Sequence, residues 1–311
     1  MGHNMAADDN VPQEFRHHAR PLLLNGLLAA SEAIQRLERP ETPSADARSP
    51  DLLIQIASAK AAAVSAGDQD EAKLCWQAEA IARAQLSFED SFELMKNERF
   101  YEAWCELEQC EIIVASIKRH YTPSPDDLQR IGYIETMVAR WQSIYPYAIF
   151  FSPEFLKKRV ECSTCGAKVS LRNPCGHEKG EIYDGEQCYH RVVELKLLSI
   201  SAVENPVQKY SVAFLSSEDG SGHRDHYDYS IVKFAVDRLI SPYHGWHKEI
   251  QTRTVPIEAL AHLLPSATCP CGSGTGFGEC CASKQEVITP HLQFVFYVQP
   301  PEGLPPEQLN F

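Results

Sequence analysis

The apolar positions of this chain follow two different rhythms. Between Asp51 and Tyr145 they recur at intervals of three and four, the spacing that lays one stripe along a helix. Leu52, Leu53, Ile56 and Ala57 form one stripe, and Leu74, Ala78, Ile81 and Ala82 another, with Gly67-Asp68 as the break between them. Ser49-Pro50-Asp51 marks the first start: Ser49 caps, and Pro50 takes the first helical position, where its missing N–H costs nothing. A third segment, Tyr101 to Ile117, puts Ala103, Trp104, Leu107, Cys110, Glu111 and Val114 on neighbouring turns. Pro123-Ser124-Pro125 ends it, and Asp126–Tyr145 supplies a fourth helix. Alanines at the close-packing positions predict a helical bundle, a hairpin array without a clean repeat. Upstream, a helix is expected over 19–37, followed by a Pro/Ser/Ala linker up to Pro50.

After Phe150-Phe151-Ser152-Pro153 the rhythm changes. Val192–Val203 alternates as a strand, and Tyr210–Leu215, Trp246–Val255 and His291–Val298 read as three more. The polar loop Ser216–Asp225 leads to a helix at Tyr229–Ile240. The expected fold class is therefore α+β: a helical N-terminal bundle, then an α+β domain with an antiparallel sheet. The expected division is 1–50 (helix and linker), 51–150 (helical bundle), 151–299 (the α+β domain, with two cysteine-rich clusters) and 300–311 (a Pro-rich tail).

Composition narrows the function classes. The 311 residues suffice for two cores, and 44% hydrophobic with 23% charged residues is ordinary for a globular chain. A net charge of −13 disfavours a general binder of nucleic acid or anionic membrane, because phosphate surfaces need positive partners. No apolar run reaches membrane-spanning length. Pro21–Ala30 imitates a signal-peptide core, but Asp8, Asp9 and Glu14 precede it and an amphipathic pattern continues through Ile34 and Leu37. Of the eleven cysteines, eight fall in two tight clusters, 162–188 and 269–281, which fits bound metal in a reduced cytoplasm better than a disulfide framework. Cys75, Cys105 and Cys110 lie in helical sequence and read as small core residues.

The later cluster carries the stronger signal. Cys269-Pro270-Cys271 and Cys280-Cys281 can present four thiolates from two turns to one tetrahedral zinc ion, at about 2.3 Å each. The intervening Gly272-Ser273-Gly274-Thr275-Gly276-Phe277-Gly278 allows the backbone a tight knuckle. A phosphate loop is excluded by context: no strand precedes the glycines and no Gly-Lys-Ser/Thr follows. The Cys-Pro-Cys-Gly-Ser-Gly…Cys-Cys pattern resembles the SEC-C motif, the small zinc-binding tail of the bacterial preprotein translocase ATPase, which also occurs in many other bacterial proteins. The resemblance covers only residues 269–281. It implies a zinc ion on Cys269, Cys271, Cys280 and Cys281. In the translocase the motif contacts an export chaperone and ribosomal or lipid surfaces through a lysine-rich spacer. Here Thr275–Gly278 has no basic residue and Glu279 is acidic, so those partners are not carried over.

The earlier cluster offers six donors: Cys162 and Cys165 in a CxxC, Cys175 and His177 in a Cys-Gly-His turn, then Cys188 and His190. The expected ligands are Cys162, Cys165, Cys175 and His177, with Cys188 competing for the place of Cys175 or His177. A redox CxxC would sit between a strand and a helix, whereas Cys162 follows the charged Lys157-Lys158-Arg159. Thiolate-rich sites are closed, so both ions, two Zn2+ in all, are expected to be structural.

Other constellations are weaker. Asp184 with Glu194 and Lys196 imitates a metal-dependent nuclease core, and His223–Asp228 places ligand-like residues in one loop. Trp246 is expected to pack its strand onto a helix, with His244 and His247 at the surface. Lys157, Lys158, Arg159, Lys168 and Arg172 form the one basic group beside a zinc element. No nucleophile elbow, zinc-protease helix or dinucleotide fingerprint occurs. The expected function is a non-catalytic zinc protein that binds an unidentified protein partner, with no catalytic residue. A metal-dependent nuclease or hydrolase and a nucleic-acid-binding zinc protein are the alternatives.

Overall fold

The computed structural model describes residues 50–122, 129–216, 223–302 and 304. The helix expected over 19–37 with its linker, the Pro123–Pro125 stop and the Pro-rich tail lie outside these residues, but for a few positions of the tail. Helix α1 (Pro50–Ser65) opens at the proline, as its fixed φ favours. Gly67, at φ +70°, turns the chain, and the Asp68 carboxylate accepts the Glu71 amide at 3.1 Å to cap α2 (Gln69–Lys96). α3 (Phe100–Ile117) and α4 (Ile131–Gln142) follow. α2 is the central helix and packs on the other three.

Small side chains set the α1–α2 approach. Cys75, Ala78 and Ala82 of α2 meet Ile56 and Ala59 of α1, closed by Leu52 and Leu53. Of the expected stripes, Leu52, Leu53, Ile56, Ala78, Ile81 and Ala82 turn inward, whereas Ala57, Leu74 and Glu111 face outward. Further along, Phe88, Phe92 and Met95 of α2 and Trp141 of α4 are wholly buried.

Among the described residues, eight strands pair as four separate two-stranded antiparallel sheets: β1 (Phe150–Cys162) with β4 (His190–Val203), β2 (Ile182–Tyr183) with β3 (Glu186–Gln187), β5 (Leu215–Ser216) with β6 (His223–Arg224), and β7 (Trp246–Pro256) with β8 (Glu286–Phe296). The fold is thus α+β with antiparallel pairing, as expected. Tyr210–Leu215 is less regular than its alternation suggested: Val212 makes an isolated bridge to Phe150, and only Leu215 belongs to a strand, the short β5. Helix α5 is Ser230–Asp237, shorter than the expected span, and α6 is the single turn Phe277–Cys280.

Among the described residues the chain divides into two compact units. One runs to Asp237 and includes Ser241–Tyr243; the other comprises Arg238–Ile240 and His244–Leu304. Each unit contains one long ribbon, and each ribbon is joined by a long loop. Residues 163–189 join β1 to β4, and 257–285 join β7 to β8. Each of these loops supplies the greater part of one cysteine cluster.

Candidate metal centres

In the second unit, the loop folds over a small core of its own. Phe277 and Val287 are buried with Cys269 and Cys281, and Ile257, Leu260 and Leu263 pack against them. Backbone bonds shape the knuckle: the Cys269 amide donates to Thr275 O at 2.8 Å, and the Gly272 amide to Cys269 O at 3.1 Å. Gly272 sits at φ +82°, a conformation that L side chains rarely adopt. Gly278 lies so close to Pro265 that a Cβ would stand 2.9 Å from the proline ring. The glycines therefore fit the roles expected of them.

The donor atoms of Cys269, Cys271, Cys280 and Cys281 all lie within 4.8 Å of one another. The Cys271–Cys280 and Cys280–Cys281 sulfurs are 3.5 and 3.7 Å apart. A tetrahedron with 2.3 Å metal–sulfur bonds has edges of about 3.8 Å, so this arrangement can hold a metal ion with little movement. Ser273 Oγ lies 3.2 Å from Cys280 Sγ. Hydrogen bonds from Ser273 and then Thr275 hold the Cys280 thiol down at about 6, and Ser273 lowers Cys271 as well. Burial drives Cys269 the other way, to about 12. Lys284 is raised by its bond to Cys281 and lends the cluster a positive charge. Ser273, Thr275 and Lys284 are the participants that sequence reasoning missed. Two of them stand inside the glycine run, whose pattern announces only backbone freedom.

In the first unit, Cys162 ends β1 and the CxxC turns back at once: the Gly166 amide donates to Cys162 O and the Cys162 amide to Ala167 O, both at 2.9 Å. The donors of Cys162, Cys165, Cys175 and His177 converge within 4.8 Å. Cys162 is buried, His177 half-buried, and Cys165 and Cys175 exposed. His177 Nδ1 is buried with no hydrogen-bond partner among the described residues. The ring stands edge-on to Tyr183 at 4.7 Å. An unpartnered imidazole nitrogen within a set of thiols fits a cation-binding role. The Cys165 and Thr164 amides hold the Cys162 thiol at about 6, the Cys165 amide most strongly.

Cys188 lies outside that group of four but touches it, with its sulfur 3.7 Å from that of Cys162. Its backbone is fixed on both sides: its carbonyl accepts the Gly180 amide and its amide donates to Glu181 O, each at 2.7 Å. The β2–β3 turn is also tied to the helices by polar bonds. Lys60 bridges Glu79 and Glu186 at 2.6 Å each, Gln69 bonds both the amide and the carboxylate of Asp184, and His120 Nε2 meets Gly180 O at 2.6 Å.

The remaining candidates are placed apart. Glu194 lies on the exposed β4 strand and pairs with Lys158 at 3.2 Å, while Asp184 is engaged by Gln69. Lys196 stands opposite Leu156 in the ladder. Asp225 accepts bonds from the Tyr229 hydroxyl and the Tyr227 amide, and Asp228 accepts the Ser230 amide at the start of α5. Trp246 is buried against Phe294 of the neighbouring strand, and His247 bonds Tyr297 and Glu249. Arg159 pairs with Glu161. Burial pushes the Cys75 thiol to about 11 and the Cys110 thiol to about 12, and Cys105 is half-buried. No helix among the described residues is long and apolar enough to cross a membrane.

Neither the curated proteins nor the solved structures include a match to this chain. The family model described as the SEC-C motif matches residues 266–283, the segment that frames all four cysteines of the second cluster, so the chain carries a SEC-C motif over that short stretch.

Proposed function

We propose that each cluster binds one structural zinc ion and that the protein is a non-catalytic, cytoplasmic scaffold presenting zinc-ordered surfaces to another protein. Cys162, Cys165, Cys175 and His177 would hold one ion, and Cys269, Cys271, Cys280 and Cys281 the other. The observation that carries this reading is that each cluster brings together four donors, three or four of them thiols. Such a set fills every corner of a tetrahedral ion, whereas a catalytic zinc keeps a corner open for water or substrate. When bound, the ions would lock loops whose own apolar cores are small.

The nuclease alternative draws no support from the carboxylates, since Asp184 and Glu194 are engaged by different partners. Nor does the basic group favour nucleic acid, because Lys158 and Arg159 are paired with acids. The test is affinity purification of the full chain from its native host, scored with zinc content. The expected result is a stoichiometric protein partner retained by the zinc-loaded form and released by a chelator. Metal-dependent hydrolysis of nucleic acid by the purified protein, with no protein partner, would overturn the reading.

A further inference from the structure

The β1/β4 ribbon has two unlike faces, which emerge once its irregularities are counted. The ladder shifts register between Glu154 and Phe155, between Lys157 and Arg159, and between Arg159 and Val160. Residues directly opposite share a face and faces alternate along a strand. With the shifts included, one face carries Phe151, Pro153, Phe155 and Val160 from β1 and Val192, Leu195, Leu197 and Ile200 from β4. Lys157 is its one charged residue. The other face carries Ser152, Glu154, Arg159 and Glu161 opposite Ser201, Ser199, Glu194 and Arg191, with Leu156 opposite Lys196 and Phe150 opposite Val203.

The polar groups of that face pair with one another: Ser199 bonds Glu154 at 2.9 Å, Arg159 and Arg191 both reach Glu161, and Glu194 is held by Lys158, leaving Leu156 as its one exposed large apolar side chain. The apolar face is open. Phe151, Phe155, Leu195, Leu197 and Ile200 are 41–61% exposed. A two-stranded ribbon is only marginally stable in water, and more so when its apolar side chains stay wet.

We propose that this face is a self-association surface, on which the ribbons of two copies pack apolar side to apolar side to make a homodimer. The area is sufficient. Those five side chains leave roughly 400–500 Å² open per copy, so an isologous contact buries roughly 900 Å² from them alone and passes about 1,000 Å² with their neighbours. The chemistry also selects a second copy over a transient foreign partner. Permanent homodimer interfaces have the composition of a core, whereas transient ones carry charges that steer and discriminate. A face with one lysine among eight apolar side chains is of the first kind, and it is its own best complement under a two-fold axis.

The test is sedimentation equilibrium of the zinc-loaded full chain from about 1 μM to about 100 μM. The expected mass is twice 34.9 kDa, and a monomer throughout overturns the proposal. Leu197→Asp with Ile200→Asp should give the monomer mass with zinc content and circular dichroism unchanged, while Lys196→Glu on the polar face should remain dimeric. A dimer that survives the double substitution overturns the proposal as well. Should the double variant fail to fold, hydrogen exchange of the wild type decides: protection over 151–160 and 192–202 should rise with concentration, and its constancy counts against the ribbon. None of these outcomes depends on the zinc-scaffold reading, which stands or falls on metal content and partner capture.

Discussion

Replacing Cys281 with serine tests whether the second cluster is a metal staple or a patch of packed thiols. Cys281 is buried beside Phe277 and Val287, and its amide closes the α6 turn on Phe277 O at 3.1 Å. As packing alone, Cys281→Ser trades one small side chain for another, and costs roughly 1–3 kcal/mol for an unpaired hydroxyl. As a ligand, it removes one of four donors. Outer-shell changes already weaken metal sites 10- to 100-fold, so loss of a direct thiolate should exceed about 100-fold, or about 2.7 kcal/mol. The apolar core beneath cannot compensate. Phe277 and Val287 are its fully buried apolar members, with three half-buried partners. At about 1.5–3 kcal/mol for each fully buried side chain, its ceiling lies near or below the roughly 10–16 kcal/mol of a structural zinc.

The assay is metal content by mass spectrometry together with hydrogen exchange. The variant should fall from two zinc ions per chain to one, and residues 257–285 should exchange far faster while the α2 core keeps its protection. Cys105→Ser, a half-buried thiol of α3 outside both clusters, should keep two ions. If Cys281→Ser retains two ions and unchanged exchange over 257–285, the second cluster is not the staple claimed for it.

Two further predictions concern the first unit. At the earlier cluster, Cys175→Ser should drop the metal content to one ion, whereas Cys188→Ser should leave two, because Cys188 stands outside the converging four; the reverse pattern would reassign the ligands. Glu108 is buried, and burial raises its carboxyl above the ordinary range against the lowering by the Lys209 and Tyr210 amides. A raised folded value means that its contribution to stability is full below the ordinary carboxylate range and is lost as pH rises through the folded value. Glu108→Gln should therefore raise the melting temperature at about pH 7, by roughly 1–3 °C, and do so less at about pH 4. An equal gain at both pH values would show that charge is not the cause.

Much of the helical half is legible because its periodicity is local: Pro50, Gly67-Asp68 and the alanine spacing are all visible within a few residues. Within the α2 stripe only Leu74 was misassigned, because it is the more apolar residue, whereas close approach to α1 favours the smaller Cys75. The convergence of the cysteines was legible because four donors at short spacing have few other uses. The hydroxyls of Ser273 and Thr275 were not, since their role depends on how the knuckle folds back on Cys280. β1 was hidden by Pro153 and by Lys157-Lys158-Arg159, which break the alternation of a regular strand; a two-stranded ribbon tolerates both, through a free edge and through bulges. The polar ties of the β2–β3 turn to Lys60, Gln69 and His120 link residues far apart in sequence, and nothing local announces them.

The two clusters share a position that suggests what a metal would do here. Each occupies the tip of a two-stranded ribbon whose strands are joined by a long loop rather than a tight turn. In short hairpins the turn fixes the register. Here no turn does so, and β1/β4 is interrupted by three register shifts, so alternation along the ladder is a poor guide to pairing. A slip of one residue would send every apolar side chain to the polar face. Cys162 is the last residue of β1 and pairs with His190, the first of β4; at the other tip, the Ile257 amide bonds Gln285 O just beyond the Pro256–Glu286 pair. An ion holding the loop at that end would set the register from the tip, as a turn does in a short hairpin. On this view, an ion at the first cluster would reinforce a register that the β1/β4 ladder already has, and so steady the face its ribbon presents.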